Sequence, residues 1–428
     1  MRIHCCGIGG IGLSAYASLR KAAGHDVSGS DRNMSELIAD LREQGIPVSL
    51  DQGGEALPSD AELLVYSEAI PPDAPERRKA TSLGIPQKSY PEALAEIQDG
   101  SRTIAVCGTH GKSSTTAMAA RVLLEAGLDP TVVVGTKVRE LGGRNWRQGK
   151  SGLFLVEACE YRRSFMHYSP SIVILTNCDG DHFDYYASED DYKQAFVAFI
   201  QKLPKDGMVI THKSDRDCAD VVQRAGRTVQ DADSFPLTSL NTPGLHMMQN
   251  AQLVLALAEV LSIPHAEATK SLSGFAGTWR RMEVKGEAGG VLIVDDYAHH
   301  PKEITATIAA MKSAYPSRRL VTVFQPHTHD RTLKMYEGFT KAFAGADSVI
   351  IPDIYVARTD IETKEVDVDA FVKDIASRSS VEARNGTSLK ETERMLRKIL
   401  KPGDILLCMG AGNITSLAAR MLDLHTQT

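Results

Sequence analysis

Val106-Cys107-Gly108-Thr109-His110-Gly111-Lys112-Ser113-Ser114-Thr115-Thr116 carries a β-type run, Thr103 to Cys107, through two glycines into a Lys-Ser pair. Ala117 to Leu124 then continues as a good helix former. A strand, a glycine turn and a helix N-terminus together cradle a triphosphate. Glycines let backbone N–H groups approach phosphate oxygens, the helix offers its positive end, Lys112 supplies a point charge, and Ser113 can ligate Mg²⁺. A full GxxxxGK[ST] pattern would place glycine at 106, where Val106 stands. An ordinary glycine-rich strand-to-helix turn is therefore the competing reading.

The surroundings of this loop are those of an ordinary soluble protein. With 428 residues, 43% hydrophobic and 24% charged, the chain has material for about three domains. A net charge of -6 with scattered Lys and Arg gives no basic footprint, so no nucleic-acid partner is expected. Met1-Arg2-Ile3-His4-Cys5-Cys6 enters a strand at once, without a secretion signal, and no apolar run approaches the roughly 20 residues of a membrane span. A cytoplasmic location without membrane attachment is expected. Seven cysteines, an odd number without a CxxC pair, speak against a disulfide framework and a structural zinc site.

Upstream, Ile3 to Cys6, Asp26 to Ser30 and Leu63 to Tyr66 are short apolar strands between helical patterns. The first opens on GxGxxG. Gly7, Gly9 and Gly12 precede a helix from Leu13 to Ala23, and Asp31 follows Gly12 by nineteen residues. That is the dinucleotide fingerprint, in which glycines admit a pyrophosphate and the acid meets a ribose hydroxyl. On pattern alone it allows NAD, another nucleotide or a structural turn. Ser89-Tyr90-Pro91 to Ser101 reads as a short linker into the unit that contains the phosphate loop.

Downstream, strands at Leu153 to Glu157 and Ile172 to Thr176 lead into polar residues, so Glu157 and Asp179-Gly180-Asp181-His182 should face the same crevice as Lys112. Ser113, Glu157 and His182 can then form an Mg²⁺ site; the bland reading is a helix cap and a satisfied loop histidine. A third unit begins near Gly289-Gly290. Its strands are Val291 to Val294, Leu320 to Phe324, Ser348 to Pro352 and Ile405 to Cys408. They run into Asp295-Asp296-Tyr297-Ala298-His299-His300 and Gln325-Pro326-His327-Thr328-His329-Asp330-Arg331, with Gly410-Ala411-Gly412-Asn413 after the last. This density of titratable groups points to an anion or carboxylate site, or one that handles an amine proton. No H-x₃-H helical pair with an acidic neighbour supports zinc.

Taken together these motifs resemble the Mur ligase family over almost the whole length. They are GIGGIG at 7 to 12 with SGSD at 28 to 31, GTHGKSSTT at 108 to 116, EACEYRRSF at 157 to 165, and TNCDGDHFDYY at 176 to 186. PGLHMMQNA at 243 to 251, GTWRRMEV at 277 to 284, DDYAHHPKEI at 295 to 304, FQPHTHDRT at 324 to 332 and GAGN at 410 to 413 complete the series. The resemblance implies an α/β protein of three domains. These are a Rossmann-like UDP-binding domain (1–98), a central P-loop ATPase-like domain with a mostly parallel sheet (99–286), and a Rossmann-like amino-acid-binding domain (287–428). It implies ATP-dependent joining of L-alanine to UDP-N-acetylmuramate through an acyl phosphate, with Mg²⁺, in a monomer or weak homodimer. Gly9, Gly10, Gly12, Asp31 and Ser67 become UDP-sugar contacts. ATP falls to Gly108, Thr109, His110, Gly111, Lys112, Ser113, Ser114, Asn250, Arg281 and Asp296. Ser113 and Glu157 would hold one Mg²⁺ and His182 a second. Tyr297, His299, His327 and Arg331 would line the amino-acid pocket, and Lys112, Glu157, His182, His299 and Arg331 would carry the chemistry.

Three positions vary from the family pattern. Met247 stands at the first Asn of HNxxN, Thr328 replaces the Arg of QPHR, and Phe196 falls where ligases of later steps carry a carbamylated lysine. The last favours single-residue addition at the first step. A recycling ligase that joins a murein tripeptide to the same nucleotide sugar is the near alternative, and an NAD-binding Rossmann protein the distant one.

Overall fold

The computed structural model describes residues 1–182, 185–356 and 364–423. Five parallel strands form the first sheet: β1 (Arg2–Cys6), β2 (Asp26–Ser30), β3 (Val48–Ser49), β4 (Leu63–Tyr66) and β5 (Gln87–Ser89), in the order β3-β2-β1-β4-β5. The chain leaves β1 toward one edge and returns to β4 on the other side, which places the topological switch point between their carboxyl ends. Ile3, Cys5, Val27 and Val65 are buried in one core with Leu13, Tyr16 and Leu19 of the helix Ile11–Ala22.

The segment read as a linker is ordered structure. It forms a helix, Tyr90–Ala95, and a 3₁₀ turn, Glu96–Gln98, with Pro91, Ala93 and Leu94 buried. Glu92 accepts from the Ser89 backbone N–H at 2.8 Å and from its hydroxyl at 2.7 Å. Ser followed by Pro in the first turn and Glu three residues on is a helix start as much as a turn signal.

The second sheet comprises β6 (Arg102–Cys107), β7 (Thr131–Val138), β8 (Arg144–Arg147), β9 (Leu153–Glu157), β10 (Ile172–Leu175), β11 (Met208–Thr211) and β12 (Val229–Asp231). Its order is β12-β11-β10-β6-β9-β7-β8, parallel except for β8. From β6 the chain turns toward β7, and from β10 toward β11, so the carboxyl ends of β6 and β10 bound a second switch point. The phosphate loop leaves β6 there.

The third sheet comprises β13 (Glu283–Ala288), β14 (Val291–Asp296), β15 (Leu320–Phe324), β16 (Ser348–Pro352), β17 (Glu382–Thr387) and β18 (Ile405–Met409), ordered β13-β14-β18-β15-β16-β17. Only β13 is antiparallel. The apolar run Ile405–Met409, and Leu320–Phe324 with its single threonine, are wholly buried, as strands covered on both faces require.

By contacts the chain divides into two compact units, residues 1–238 with 250–275, and residues 239–249 with 276–428. The first holds two sheets and the second one. β13 begins at Glu283, so the expected boundary at 286/287 falls inside a strand of the third sheet, and Arg280 and Arg281 cluster with that sheet. All seven cysteines are free, six of them buried and Cys159 exposed. Among the described residues, no helix is long and apolar enough to cross a membrane.

Candidate active site

Two left-handed glycines close the phosphate loop. Gly108 has φ 131°, and a Cβ there would fall 2.1 Å from the Thr176 hydroxyl; Gly111 has φ 81°, and a Cβ would meet the Asn250 amide at 2.7 Å. Only glycine meets both demands without strain. Thr176 and Asn177, at the end of β10, pin the loop: the Thr176 hydroxyl donates to His110 O at 2.6 Å, and Asn177 Oδ1 accepts from His110 N at 2.8 Å. The Thr109 hydroxyl accepts from Asp179 N and lies 2.9 Å from the Tyr192 hydroxyl. Ser113 and Ser114 are buried in the first turn of the helix Lys112–Glu125. The sequence-predicted loop residues and Asn250 are thus brought together.

Lys112 folds back over this loop. Its Nζ donates to Gly108 O at 2.6 Å and Thr109 O at 3.0 Å, and lies 3.1 and 3.0 Å from Glu160 Oε1 and Oε2. Burial alone would lower the ammonium's pKa, yet the Glu160 charge holds it above the ordinary lysine value. Burial works against the Glu160 carboxylate too, but Lys112 and His182 keep it below the usual range. His182 Nε2 is 3.6 Å from Glu160 Oε1, and its ring packs tilted against Tyr161 with centroids 4.7 Å apart. His182 sits at φ 58°, and Arg162 and Arg163 at 51° and 57°, so the backbone around this cluster holds conformations that L-residues seldom adopt. Glu160 was not among the expected site residues. Its motif was visible, but which carboxylate of Glu157 and Glu160 returns under Lys112 depends on this loop's path.

Glu157 takes the other side. Its Oε1 accepts from the Ser113 hydroxyl at 3.0 Å and its Oε2 from Gly135 N at 2.6 Å. The expected metal ligands therefore form two groups, Ser113 with Glu157, and His182 with Glu160. Among the described residues no three His, Cys, Asp or Glu side chains make a ready cage. Mg²⁺ needs none, since it takes one or two protein oxygens beside substrate phosphates and water. A hydroxyl aimed at a carboxylate next to an open phosphate cradle fits that ion. Phe196, in contrast, is fully buried against Phe165 and Tyr192.

At the first switch point, Ser67 N donates to Cys6 O at 3.0 Å, and a Cβ on Gly7 would sit 3.0 Å from that of Ser67. Gly9 N donates to Asp31 Oδ2 at 2.8 Å, and Arg32 N to Oδ1 at 2.7 Å, so Asp31 fixes the glycine turn from within. Gly12 faces the Tyr90 ring, where a Cβ would come within 2.6 Å. Gly10 has ordinary clearance.

In the second unit, Asp296 is buried and both its oxygens are engaged by backbone, Oδ2 by Met282 N at 2.6 Å and Oδ1 by Ala298 N at 2.7 Å. Burial pushes its carboxyl up to about 6. It shapes the turn that carries Arg281, whose guanidinium reaches Glu303 Oε1 at 3.6 Å and lies 5.2 Å over the Tyr297 ring. Glu303, also missed from sequence, accepts from His299 N and His300 N at 3.0 and 3.2 Å. His299 Nδ1 lies 3.1 Å from Tyr297 O and 3.2 Å from Glu303 Oε2. Both neighbours are acceptors, so Nδ1 is the ring's donor toward the Tyr297 carbonyl and the Glu303 carboxylate. His327 and Arg331 follow β15, on the other side of β18 from this cluster; His327 packs tilted against Tyr355, and Thr328, at φ 65°, caps the helix His329–Lys334.

Two switch-point crevices, one of them carrying a phosphate loop, mark an α/β protein of the nucleotide-binding class, and comparison with known proteins gives the family. The model of the Mur ligase family, catalytic domain, matches residues 2–102, that of the Mur ligase middle domain 106–241, and that of the Mur ligase, glutamate ligase domain 280–412. The chain belongs to the Mur ligase family. It is 38% identical over 443 residues to the UDP-N-acetylmuramate--L-alanine ligase of Clostridium kluyveri, covering 96% of each chain, and 36% identical to that of a Geobacter species, covering 98% and 97%. The crystal structure of UDP-N-acetylmuramate-alanine ligase from Thermotoga maritima superposes with a TM-score of 0.83 at 27% identity, covering 100% of this chain and 99% of that one. A murein peptide ligase from Psychrobacter arcticus shares the fold, with a TM-score of 0.74 at 23% identity over 99% and 98% of the two chains.

Proposed function

We propose that this chain is an ATP-dependent ligase that joins L-alanine to the lactyl carboxylate of UDP-N-acetylmuramate in peptidoglycan precursor synthesis. The observation that supports this reading most is the loop after β6, where two positive-φ glycines lead into Lys112 and into Ser113, whose hydroxyl donates to Glu157 at 3.0 Å. A carboxylate is a poor electrophile. Its oxygen attacks the γ-phosphorus in line, ADP leaves, and the acyl phosphate so formed is open to the amine of L-alanine, whose attack on the acyl carbon expels phosphate.

Gly108 to Ser114 and Asn250 hold the ATP, with Lys112 on its β- and γ-phosphates. Ser113 and Glu157 would hold one Mg²⁺ and His182, beside Glu160, a second; bound there, the ions supply neutralisation of charge on the transferred phosphoryl group. The glycine turn of Gly9, Gly10 and Gly12, with Asp31 and Ser67, receives the UDP sugar. Tyr297, His327 and Arg331 serve the amino acid and the reacting carboxylate. His299, held at Nδ1 by the Tyr297 carbonyl and Glu303, orients or deprotonates the amine.

Phosphate release from ATP, with Mg²⁺ and UDP-N-acetylmuramate present, tests the reading when L-alanine, L-serine, glycine and a murein tripeptide are compared as acceptors. L-Alanine is expected to stimulate release most. Preference for the tripeptide would move the chain to the recycling branch, and stimulation by none would remove the ligase reading.

A further inference from the structure

We propose that Glu160 is a positioning residue that latches Lys112 onto the phosphate loop and so opposes nucleotide binding. The inference rests on the ATP site proposed above and goes beyond it. An ammonium has three protons to donate. Lys112 Nζ already has Gly108 O, Thr109 O and both Glu160 oxygens within 3.1 Å, so its donors are saturated by the chain itself. A phosphate oxygen can reach Nζ only by displacing one of these partners.

Glu160 is the partner with a charge, and it is held in place. Its side chain is 1% exposed, its own carbonyl accepts from the Tyr186 hydroxyl, and His182 flanks its carboxylate at 3.6 Å. It stabilises the folded-back lysine, and it stands as a like charge beside any phosphate that arrives. Both effects favour the nucleotide-free state, and a group that favours one state shifts the binding equilibrium against the other. Glu160 thereby aids product release at the end of a turnover. A carboxylate that merely braced the loop would do the opposite, since its removal would loosen the cradle and weaken binding.

Calorimetric titration with ADP, in EDTA so that no metal enters, separates the two roles. Glu160→Gln is expected to tighten ADP binding by about tenfold, with UDP-N-acetylmuramate binding unchanged. Glu160→Asp keeps the charge one methylene further back and should tighten it by a smaller factor; this variant decides the matter if Glu160→Gln does not fold. Unchanged or weaker ADP binding in a folded variant, when the wild type binds, overturns the latch alone. A wild-type protein that takes up no ADP overturns the ligase reading and the latch with it.

Discussion

Replacing Lys112 by methionine is expected to lower kcat for L-alanine-dependent phosphate release by roughly 10³-fold or more, the scale of losing a preorganised charge aimed at a transferring phosphoryl group. Affinity for UDP-N-acetylmuramate should stay within about twofold, because the glycine turn after β1 is built from Asp31, Ser67 and Tyr90 and takes nothing from Lys112. The substitution also leaves Glu160 buried without its cation, so a lower unfolding midpoint accompanies the kinetic loss. Steady-state kinetics and a UDP-sugar titration on the same preparation check both parts. Retention of more than a tenth of the turnover would remove Lys112 from the phosphate site, and joint loss of turnover and UDP-sugar binding would mean that the two crevices are not separate sites.

The second large effect lies in the other unit, where Arg280 organises the rim of the third sheet. Its guanidinium donates to Gly410 O and Gly412 O, and its Nε lies 3.4 Å from Asp295 Oδ2, both side chains being almost wholly buried. Arg280→Met deletes the cation and strands the Asp295 carboxylate, whose pKa burial already raises. Breaking a buried pair from one side costs about 3–5 kcal/mol. The denaturant midpoint of this unit's transition should fall accordingly, and adding Asp295→Asn to Arg280→Met should recover part of the loss by removing the orphan charge. A loss below about 1 kcal/mol would show that the pair is solvated and that the loop after β18 holds its shape without it.

Much of this architecture is legible in the sequence because parallel strands buried on both faces must be apolar throughout. Leu63–Tyr66, Leu153–Glu157, Leu320–Phe324 and Ser348–Pro352 span the residues expected from the sequence, each built on an apolar run. The phosphate loop is legible for a related reason, since the positive φ of Gly108 and Gly111 leaves little choice of residue. Polar groups are harder to place. Asp31 and Asp296 occupy the positions at which an acid meets a ligand, yet in the structure their oxygens accept backbone N–H groups of adjoining turns. Glu160 and Glu303 lie one turn from residues that could be singled out, and their roles arise only when a loop or helix start brings them against Lys112 and His299. Helix starts and turns share Ser, Pro and Glu, which is why Ser89-Tyr90-Pro91 reads as a linker and folds as a helix.

The central claim is that a carboxylate of the UDP sugar is activated by phosphoryl transfer at the Lys112 loop before the amine attacks. UDP-N-acetylmuramate carrying ¹⁸O in its lactyl carboxylate, turned over with ATP, Mg²⁺ and L-alanine, tests it by mass spectrometry of the phosphate released. One ¹⁸O atom is expected in the phosphate for each amide formed. Amide formation with unlabelled phosphate, or with the label in AMP, would contradict it.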